Sequence, residues 1–439
     1  MRVYLTSLGC KLNQSEIEML ARRFAQAGHQ PVSCPEQADL CIVNSCTVTH
    51  VAARKSRQLI RRLHRANPVV PIIVTGCYAE MSPEAVREIE GVELVVGNER
   101  KAQLVEIVEE LLGITGRPPE IGIRGLRVDS RTRALVKIQD GCNNHCTYCI
   151  VRLARGRERS RPLSEVVAEV QELTATGYKE VVLTGVNIGA YGRDRGTDLV
   201  HLVRAILIET DLPRLRLSSI EPWEVSDELL TLWEDPRLCR HLHLPLQSGC
   251  DETLRRMGRR YTSSEFSALV HRIRAAVPEL AVTTDIIVGF PGETEAEFAQ
   301  SKAFVERMAF ARLHVFPYSP RPGTPAAQFP DQVPPAVKKQ RAQCMRAVGE
   351  RASWSFRQRF VGRTLPVLWE GTQERPGVVS GLTDNYLRVY TAGEKGLTNT
   401  ITSVRLIHLH ADGLWGQIVS PRSSFSSISV RISANPCSR

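Results

Sequence analysis

The sequence predicts an α/β protein built in three blocks: an N-terminal parallel-sheet α/β domain, a central partial (β/α)6 barrel and a small C-terminal all-β barrel. Three observations predict it. Strand-like and helix-like runs alternate through residues 1–112. The alternation returns in residues 131–358, with strand candidates spaced by roughly 30–50 residues, a comfortable length for βα units. From 359 to 419 helical periodicity gives way to short apolar runs punctuated by glycine.

The first strand reads as Val3-Tyr4-Leu5. Ile17, Leu20, Ala21, Phe24 and Ala25 then recur at the spacing of one helix face, and Gly28 is placed to end that helix. Leu40-Cys41-Ile42-Val43, Ile72-Ile73-Val74 and Leu94-Val95-Val96 are further strands, and strands alternating with helices imply a parallel sheet covered on both faces. Residues 113–130 carry clustered glycine and proline and read as a linker. The barrel strands centre on Val136, Leu183, Leu217, Leu244, Ile286 and Val315. Barrels of this kind do their chemistry at the carboxyl ends of the strands. In the last block Pro366–Trp369, Val378-Val379, Leu387–Tyr390 and Val404–Ile407 are the strand candidates, and the serine-rich residues 420–439 read as a disordered tail.

Composition narrows the function classes. Hydrophobic residues make up 42% and charged residues 24% of 439, as in a soluble globular protein. No run of 18 apolar residues would span a membrane, and the N-terminus lacks an apolar signal core, so a cytoplasmic protein with no membrane partner is expected. In that reducing compartment twelve cysteines point to metal or catalytic thiols rather than a disulfide framework. The formal charge of +10 favours a polyanionic partner only where it is clustered.

Two cysteine patterns carry chemistry. Cys142, Cys146 and Cys149 stand at C-x3-C-x2-C spacing directly after a strand. Three thiolates are one short of a closed tetrahedral zinc site and suit an iron–sulfur cluster with one iron left open; a zinc site borrowing a fourth ligand, such as His145, is the alternative. Cys10, Cys46 and Cys77 are dispersed, but each follows a predicted strand, and strand ends of a parallel sheet share one edge. They converge there as ligands, or pack as small buried hydrophobes.

On these residues the chain resembles the radical S-adenosylmethionine superfamily, and the preceding block with Cys10, Cys46 and Cys77 is similar to the methylthiotransferases within it. The trailing β-module resembles their TRAM domain, and the similarity covers about residues 1–419. Leu8–Gln14, Asn44–Thr49, Arg54–Gln58 and Leu246–Asp251 look like the branch acting on threonylcarbamoyladenosine in tRNA. The resemblance implies a 4Fe-4S cluster on Cys142, Cys146 and Cys149, with S-adenosyl-L-methionine chelating its open iron and yielding a 5′-deoxyadenosyl radical. It implies a second, auxiliary 4Fe-4S cluster on Cys10, Cys46 and Cys77, where the sulfur for insertion is carried. The implied product is a methylthio group on carbon 2 of the adenosine at tRNA position 37. An electron donor and a sulfur donor are also needed, and neither is named by the sequence. One departure from the family is Arg152, in a stretch after Cys149 that usually holds a proline.

Candidate cofactor contacts follow the barrel strands: Gly185 and Asn187, Ser219 and Glu221, then Gln247 and Ser248, with the 285–292 stretch beyond them. For RNA, Arg152, Arg155, Arg157, Arg159 and Arg161 alternate, and in an extended chain would share one side. Arg54, Lys55, Arg57, Arg61, Arg62 and Arg65 lie on one predicted helix. Arg357 and Arg359 lead into the β-module, with Trp354, Phe356 and Phe360 interleaved as candidates for base stacking, although aromatic residues at this spacing are more often core. Two competing functions remain open at this level: methylthiolation of a ribosomal-protein aspartate, and a non-enzymatic zinc- or cluster-bearing RNA-binding protein.

Overall fold

A computed structural model describes residues 1–113, 132–375, 377–393 and 396–419, without the side chains of 372–375. The linker expected at 113–130, Gly113 apart, and the tail expected at 420–439 lie outside the described residues.

The N-terminal region is a five-stranded parallel sheet of β1 (Arg2–Ser7), β2 (Gln30–Val32), β3 (Leu40–Ser45), β4 (Ile72–Gly76) and β5 (Val92–Val96), in the order β2-β1-β3-β4-β5. The strand β2 had no signature in the sequence. Helices α1 (Lys11–Gln26), α2 (His50–Ala66), α3 (Cys77–Met81), α4 (Pro83–Arg87) and α5 (Leu104–Leu111) complete it. Apolar clusters line both faces: Leu20, Phe24 and Val108 on one, Ile60, Leu63 and Val86 on the other. Helix α1 ends as expected, because Gly28 takes φ +80° and lets the His29 amide reach back to the Phe24 carbonyl. Its second face is not solvated, however: Asn13 and Glu16 are buried as deeply as Leu12.

The central region carries β6 (Arg133–Lys137), the short antiparallel pair β7 (Gln139–Asp140) and β8 (Arg159–Ser160), then β9 (Glu180–Thr184), β10 (Arg214–Leu217), β11 (His241–His243), β12 (Ala281–Val288) and β13 (Arg312–Pro317). Parallel pairing runs β6-β9-β10 and β11-β12-β13, and the bridges Leu215–Leu238 and Ser219–His243 join the two halves. The six parallel strands form a partial barrel. Leu244 lies just past the end of β11, so that strand is shorter and earlier than the apolar run suggests. Helices α6 (Val151–Arg155), α7 (Leu163–Ala175), α8 (Leu199–Glu209), α9 (Asp227–Thr231), α10 (Asp251–Arg256), α11 (Ser263–Ala276), α12 (Glu295–Met308) and α13 (Pro335–Gln358) follow. Capping boxes at Thr262/Glu265 and Thr294/Glu297 start α11 and α12.

Strands β14 (Thr364–Arg375), β15 (Val378–Thr383), β16 (Arg388–Ala392), β17 (Ile401–His410) and β18 (Gly413–Ile418) close a five-stranded barrel of the kind expected for a TRAM-like module. The sequence reading missed β18. Phe356 and Phe360 belong to this barrel's core, the second of the two readings that their spacing allowed; Trp354 is exposed. The module docks against the amino ends of the core strands. Arg214 donates to the carbonyls of Leu382 (2.9 Å) and Pro366 (2.7 Å), and Arg240 pairs with Asp384 at 2.6 Å. Tyr386, at φ +68°, stacks on His241 at 4.6 Å and receives Arg133, Arg216 and Lys11 around its ring.

Candidate active site

The contiguous cysteine loop leaves β7 at the carboxyl end of the partial barrel. Gly141 makes the turn at φ +69°; a Cβ there would stand 1.9 Å from the Arg157 carbonyl oxygen, so only glycine fits. The Cys142 amide donates to the Gly156 carbonyl at 3.1 Å, and Thr147 is tied through its amide to the Met257 carbonyl and through its hydroxyl to that of Arg256. The loop is thereby pinned to residues 256–259. The Asn144 amide donates to Cys142 Sγ and Arg259 to Cys146 Sγ, both at 3.4 Å. Burial pushes the Cys142 thiol up and the Cys149 thiol up to about 12, with the neighbouring cysteines adding to both shifts. The thiols act on one another electrostatically, and binding a metal cluster there would require thiolates and release protons.

The dispersed cysteines are assembled by the sheet. Strands β1, β3 and β4 are adjacent, with Ser7 level with Asn44 and Ser45 level with Gly76, so Cys10, Cys46 and Cys77 emerge at one edge. Gly9 and Gly76, at φ +109° and +95°, allow the close approach. A Cβ on Gly9 would lie 2.8 Å from Cys46 Sγ. Ser56 on α2 clamps the Cys46 backbone, donating to its carbonyl (3.0 Å) and accepting from its amide (3.1 Å). Burial, reinforced by Cys10 and Cys77, pushes the Cys46 thiol up to about 11. Cys10 is exposed while Cys46 and Cys77 are buried, so this site opens on the Cys10 side. Among the described residues no three Cys, His, Asp or Glu side chains already enclose a single ion. All six cysteines are free thiols, and their donor chemistry fits iron–sulfur clusters.

A buried polar network joins the two sets. Arg155 donates to Glu16 (2.8 Å), Asp140 (2.9 Å) and Asn13 Oδ1 (2.6 Å). Lys101 and Lys137 also hold Glu16, at 2.7 and 2.8 Å, and Lys137 holds Asp140 at 2.7 Å. Asn13 ties the network to the Leu8 and Ser45 carbonyls beside Cys10 and Cys46, and Asp140 ties it to the Gly141 amide beside Cys142. Burial alone would raise the Glu16 carboxyl, but Lys101, Arg155 and Lys137 override it and hold it well below the usual range. Three cations face two carboxylates, and the electrostatic reach of Arg155 extends to Cys77 and Cys46.

The alternating arginines do not share a side. Residues 151–155 are helical and Gly156 reverses the chain at φ +72°, so the extended stretch that the alternation requires does not exist. Arg155, 4% exposed, belongs to the buried network and not to an RNA surface. Arg157 and Arg159 are exposed, Arg152 contacts His145, and Arg161 pairs with Glu169. Arg357 is occupied by the Ala411 carbonyl at 3.0 Å, and Arg359 is exposed over Phe356 and Phe360.

Of the cofactor candidates, Gly185 packs where a Cβ would be 3.0 Å from Gln139 Oε1. The Asn187 amide group donates to Glu224 Oε1 at 2.9 Å, which leaves Asn187 Oδ1 and Glu224 Oε2 buried without a partner among the described residues. Glu221 and Glu224 both act on Cys142 electrostatically, so these polar atoms stand beside the cysteine loop and fit a polar cofactor. Ser219 is half-buried at the same edge. Gln247 holds φ +67°, a left-handed conformation that is strained for a side chain, and its backbone bridges to Asp285 and Ile287. Ser248 is fully buried and turned toward Ser301 and the Cys250 amide, so it leaves the group of cofactor contacts. Sequence reading missed Arg259, which bridges Glu221, the Pro245 carbonyl and Cys146 under Trp223 and Tyr261. It also missed Glu224, although the run Glu221-Pro222-Trp223-Glu224 after a strand was a usable signal.

Residues 136–305 match the family model of the Radical SAM superfamily, and residues 2–97 match that of the Uncharacterized protein family UPF0004. A Thermotoga maritima protein named threonylcarbamoyladenosine tRNA methylthiotransferase MtaB is 40% identical over 422 residues, covering 94% of this chain and 96% of that protein. A Dictyoglomus thermophilum protein named tRNA-2-methylthio-N(6)-dimethylallyladenosine synthase is 35% identical over 433 residues, covering 95% and 98%. Among solved structures, the radical S-adenosylmethionine methyltransferase TsrM from Kitasatospora setae matches with a TM-score of 0.56 at 18% identity, covering 74% of this chain and 75% of that one. That likeness is one of fold.

Proposed function

The chain belongs to the radical S-adenosylmethionine methylthiotransferases, in the MtaB branch, and we propose that it acts on N(6)-threonylcarbamoyladenosine at position 37 of tRNA, adding a methylthio group to carbon 2 of the adenine. It is an enzyme that uses radical S-adenosylmethionine chemistry with iron–sulfur, which removes the non-enzymatic reading; nothing favours the ribosomal-protein reading. The observation that carries the proposal is the pairing of two three-cysteine sites on the carboxyl edges of two parallel sheets, with one buried network between them.

In this reading residues 1–112 hold the auxiliary site, 131–358 the radical site and 359–419 an RNA-binding module, in a cytoplasmic protein. Cys142, Cys146 and Cys149 would hold one 4Fe-4S cluster, and Cys10, Cys46 and Cys77 a second. Bound there with S-adenosylmethionine, the clusters would relay an electron from an external donor into the radical chemistry and carry the sulfur received from a sulfur donor. The chain's own work is placement. Gly141 and Arg259 fix the loop, Arg259 offering a charge-assisted donor to Cys146. Gly185, Asn187, Ser219, Glu221 and Gln247 line the cofactor side, with Glu224 and Asn187 offering unsatisfied oxygens to its polar end. The packed Tyr148, Met257, Phe290 and Tyr318 shut water out behind the loop. Exposed Arg157, Arg159 and Arg359 are available to RNA phosphate.

Nucleoside mass spectrometry of tRNA from cells with and without this gene tests the reaction. The expected result is loss of 2-methylthio-N(6)-threonylcarbamoyladenosine with accumulation of its unmethylthiolated precursor. Loss of the methylthiolated dimethylallyl nucleoside instead would move the substrate to the other branch. An unchanged profile, in cells without a second such enzyme, would overturn the proposal.

A further inference from the structure

We propose that the outer face of α2 is a phosphate-binding track for the substrate RNA, rooted at the dispersed cysteine site. The inference rests on the tRNA reading above and names the surface through which the RNA approaches the auxiliary site.

Residues 50–66 contain no aspartate or glutamate. Ala53, Ser56, Ile60 and Leu63 are buried, which fixes the rotation of the helix. The face turned outward carries Arg54, Lys55, Arg61, Arg62 and Arg65, all exposed; Arg65 stands four and three residues after Arg61 and Arg62, and Arg54 and Lys55 lie two turns before that pair on the same side. None of the five makes an ion pair among the described residues; the nearby Glu90 is taken by His64 at 3.4 Å. From Arg54 to Arg65 the track is roughly 16 Å long at 1.5 Å per residue. Isolated charges on a solvated face normally alternate in sign or find i, i+4 partners, because five like charges repel one another. This face keeps its repulsion, and a polyanion would relieve it.

The second observation is where the track begins. Thr49 caps α2 three residues after Cys46, accepting from the Ala52 amide at 3.1 Å. Ser56, on the buried face, grips both backbone groups of Cys46. Arg57 reaches Tyr78, next to Cys77, at 3.2 Å. One face of the helix therefore grips Cys46 and the helix also touches the residue beside Cys77, while the other face presents the cations. Exposed Val48 and Val51 fall between Cys46 and Arg54 in the chain, apolar side chains suited to a base rather than a phosphate. Charge complementarity selects RNA: the β-module's Arg357 is spent on its own backbone, and Arg155 on the buried network.

The test uses reconstituted full-length enzyme and tRNA purified from cells lacking the gene, with binding followed by fluorescence anisotropy across a salt series. The variant is Arg54→Gln, Arg61→Gln, Arg62→Gln and Arg65→Gln together. Each phosphate contact contributes about 0.7–0.9 to the slope of log affinity against log salt, so the slope should fall in magnitude by about 3 and binding should weaken at least ~10-fold near physiological salt. A control with Arg204, Arg255, Arg272 and Arg351 changed to Gln, four exposed arginines already paired with carboxylates, should keep the wild-type slope. Iron content and melting curve of the α2 variant should match wild type, which separates lost contacts from lost fold. An α2 variant with the wild-type slope, or a control that loses as much, overturns the track while leaving the tRNA reading intact. A wild-type enzyme with no salt-dependent affinity for that tRNA overturns both.

Discussion

Cys142, Cys146 and Cys149 lie in one loop, whereas Cys10, Cys46 and Cys77 are delivered by three strands and spread across most of the N-terminal region. The first set depends on local backbone: a glycine turn, one amide bond to Gly156 and a tether to residues 256–259. The second depends on sheet register, since slipping β3 against β1 or β4 would separate the thiols. The comparison teaches that two sites of equal donor count differ in what they require of the fold. A local loop keeps its ligand spacing as long as the loop is anchored, but an assembled edge exists only while the whole sheet does.

The largest expected effects come from the ligands themselves. Cys142→Ala should take 5′-deoxyadenosine formation and RNA product below detection while about half of the iron, roughly four of eight atoms per chain, stays at the other set. Cys46→Ala should lose the same share of iron and all RNA product, yet keep 5′-deoxyadenosine formation. Iron assay, cofactor-cleavage assay and nucleoside analysis check both. Equal loss of cleavage in the two variants would erase the distinction between the sites.

Next in size is the joint between them. Glu16→Gln leaves buried Lys101 and Arg155 and half-buried Lys137 with one carboxylate fewer, and should cost about 3–5 kcal/mol in denaturant unfolding. The sign with pH follows from a carboxyl depressed in the folded state. Its stabilisation is complete above the ordinary carboxylate range and is lost as pH falls toward the folded value, so wild type should lose stability on acidification more steeply than Glu16→Gln.

A matched pair sharpens the local-versus-assembled contrast. Gly141→Ala and Gly9→Ala both place a side chain at positive φ, a strain of order 1–3 kcal/mol each before the added clashes. The first should reduce iron at the contiguous set, and the second at the dispersed set, each leaving the other loaded; iron-specific spectroscopy of the two proteins decides. The smallest effect is expected at Tyr386 of the β-module. Burial raises its phenol, but Lys11, Arg133 and Arg216 outweigh burial and bring it down to about 8. The phenolate is favoured in the fold, so this stabilisation is absent below about pH 8 and complete only above the ordinary phenol value near 10. Tyr386→Phe should remove one alkaline absorbance transition near pH 8 and leave both iron loadings unchanged.

Much of the site was legible because its signals are covalent or periodic. The C-x3-C-x2-C spacing needs no fold to be seen, and each dispersed cysteine was visible because it follows an apolar run that had to be a strand. Among the arginines after Cys149, Arg155 was misjudged because alternation was read as extended chain; the helix 151–155 and the turn at Gly156 send it inward, where Glu16 and Asp140 meet it. Phe356 and Phe360 could be core or stacking residues at their spacing, and the barrel that β18 helps to close over them decided for core. Ser248 looked available at a strand end, and only the packing of Ser301 shows that it is already used.

By itself, then, the sequence determined the three-block order, the carboxyl-edge placement of six thiols and the basic helix, because periodicity, glycine turns and ligand spacing act over a few residues. The tertiary structure alone decided which charges are spent inside and which remain outside. Glu16, Lys101 and Arg155 are far apart in the chain, and a charge becomes buried or exposed according to neighbours that only the packed fold brings to it.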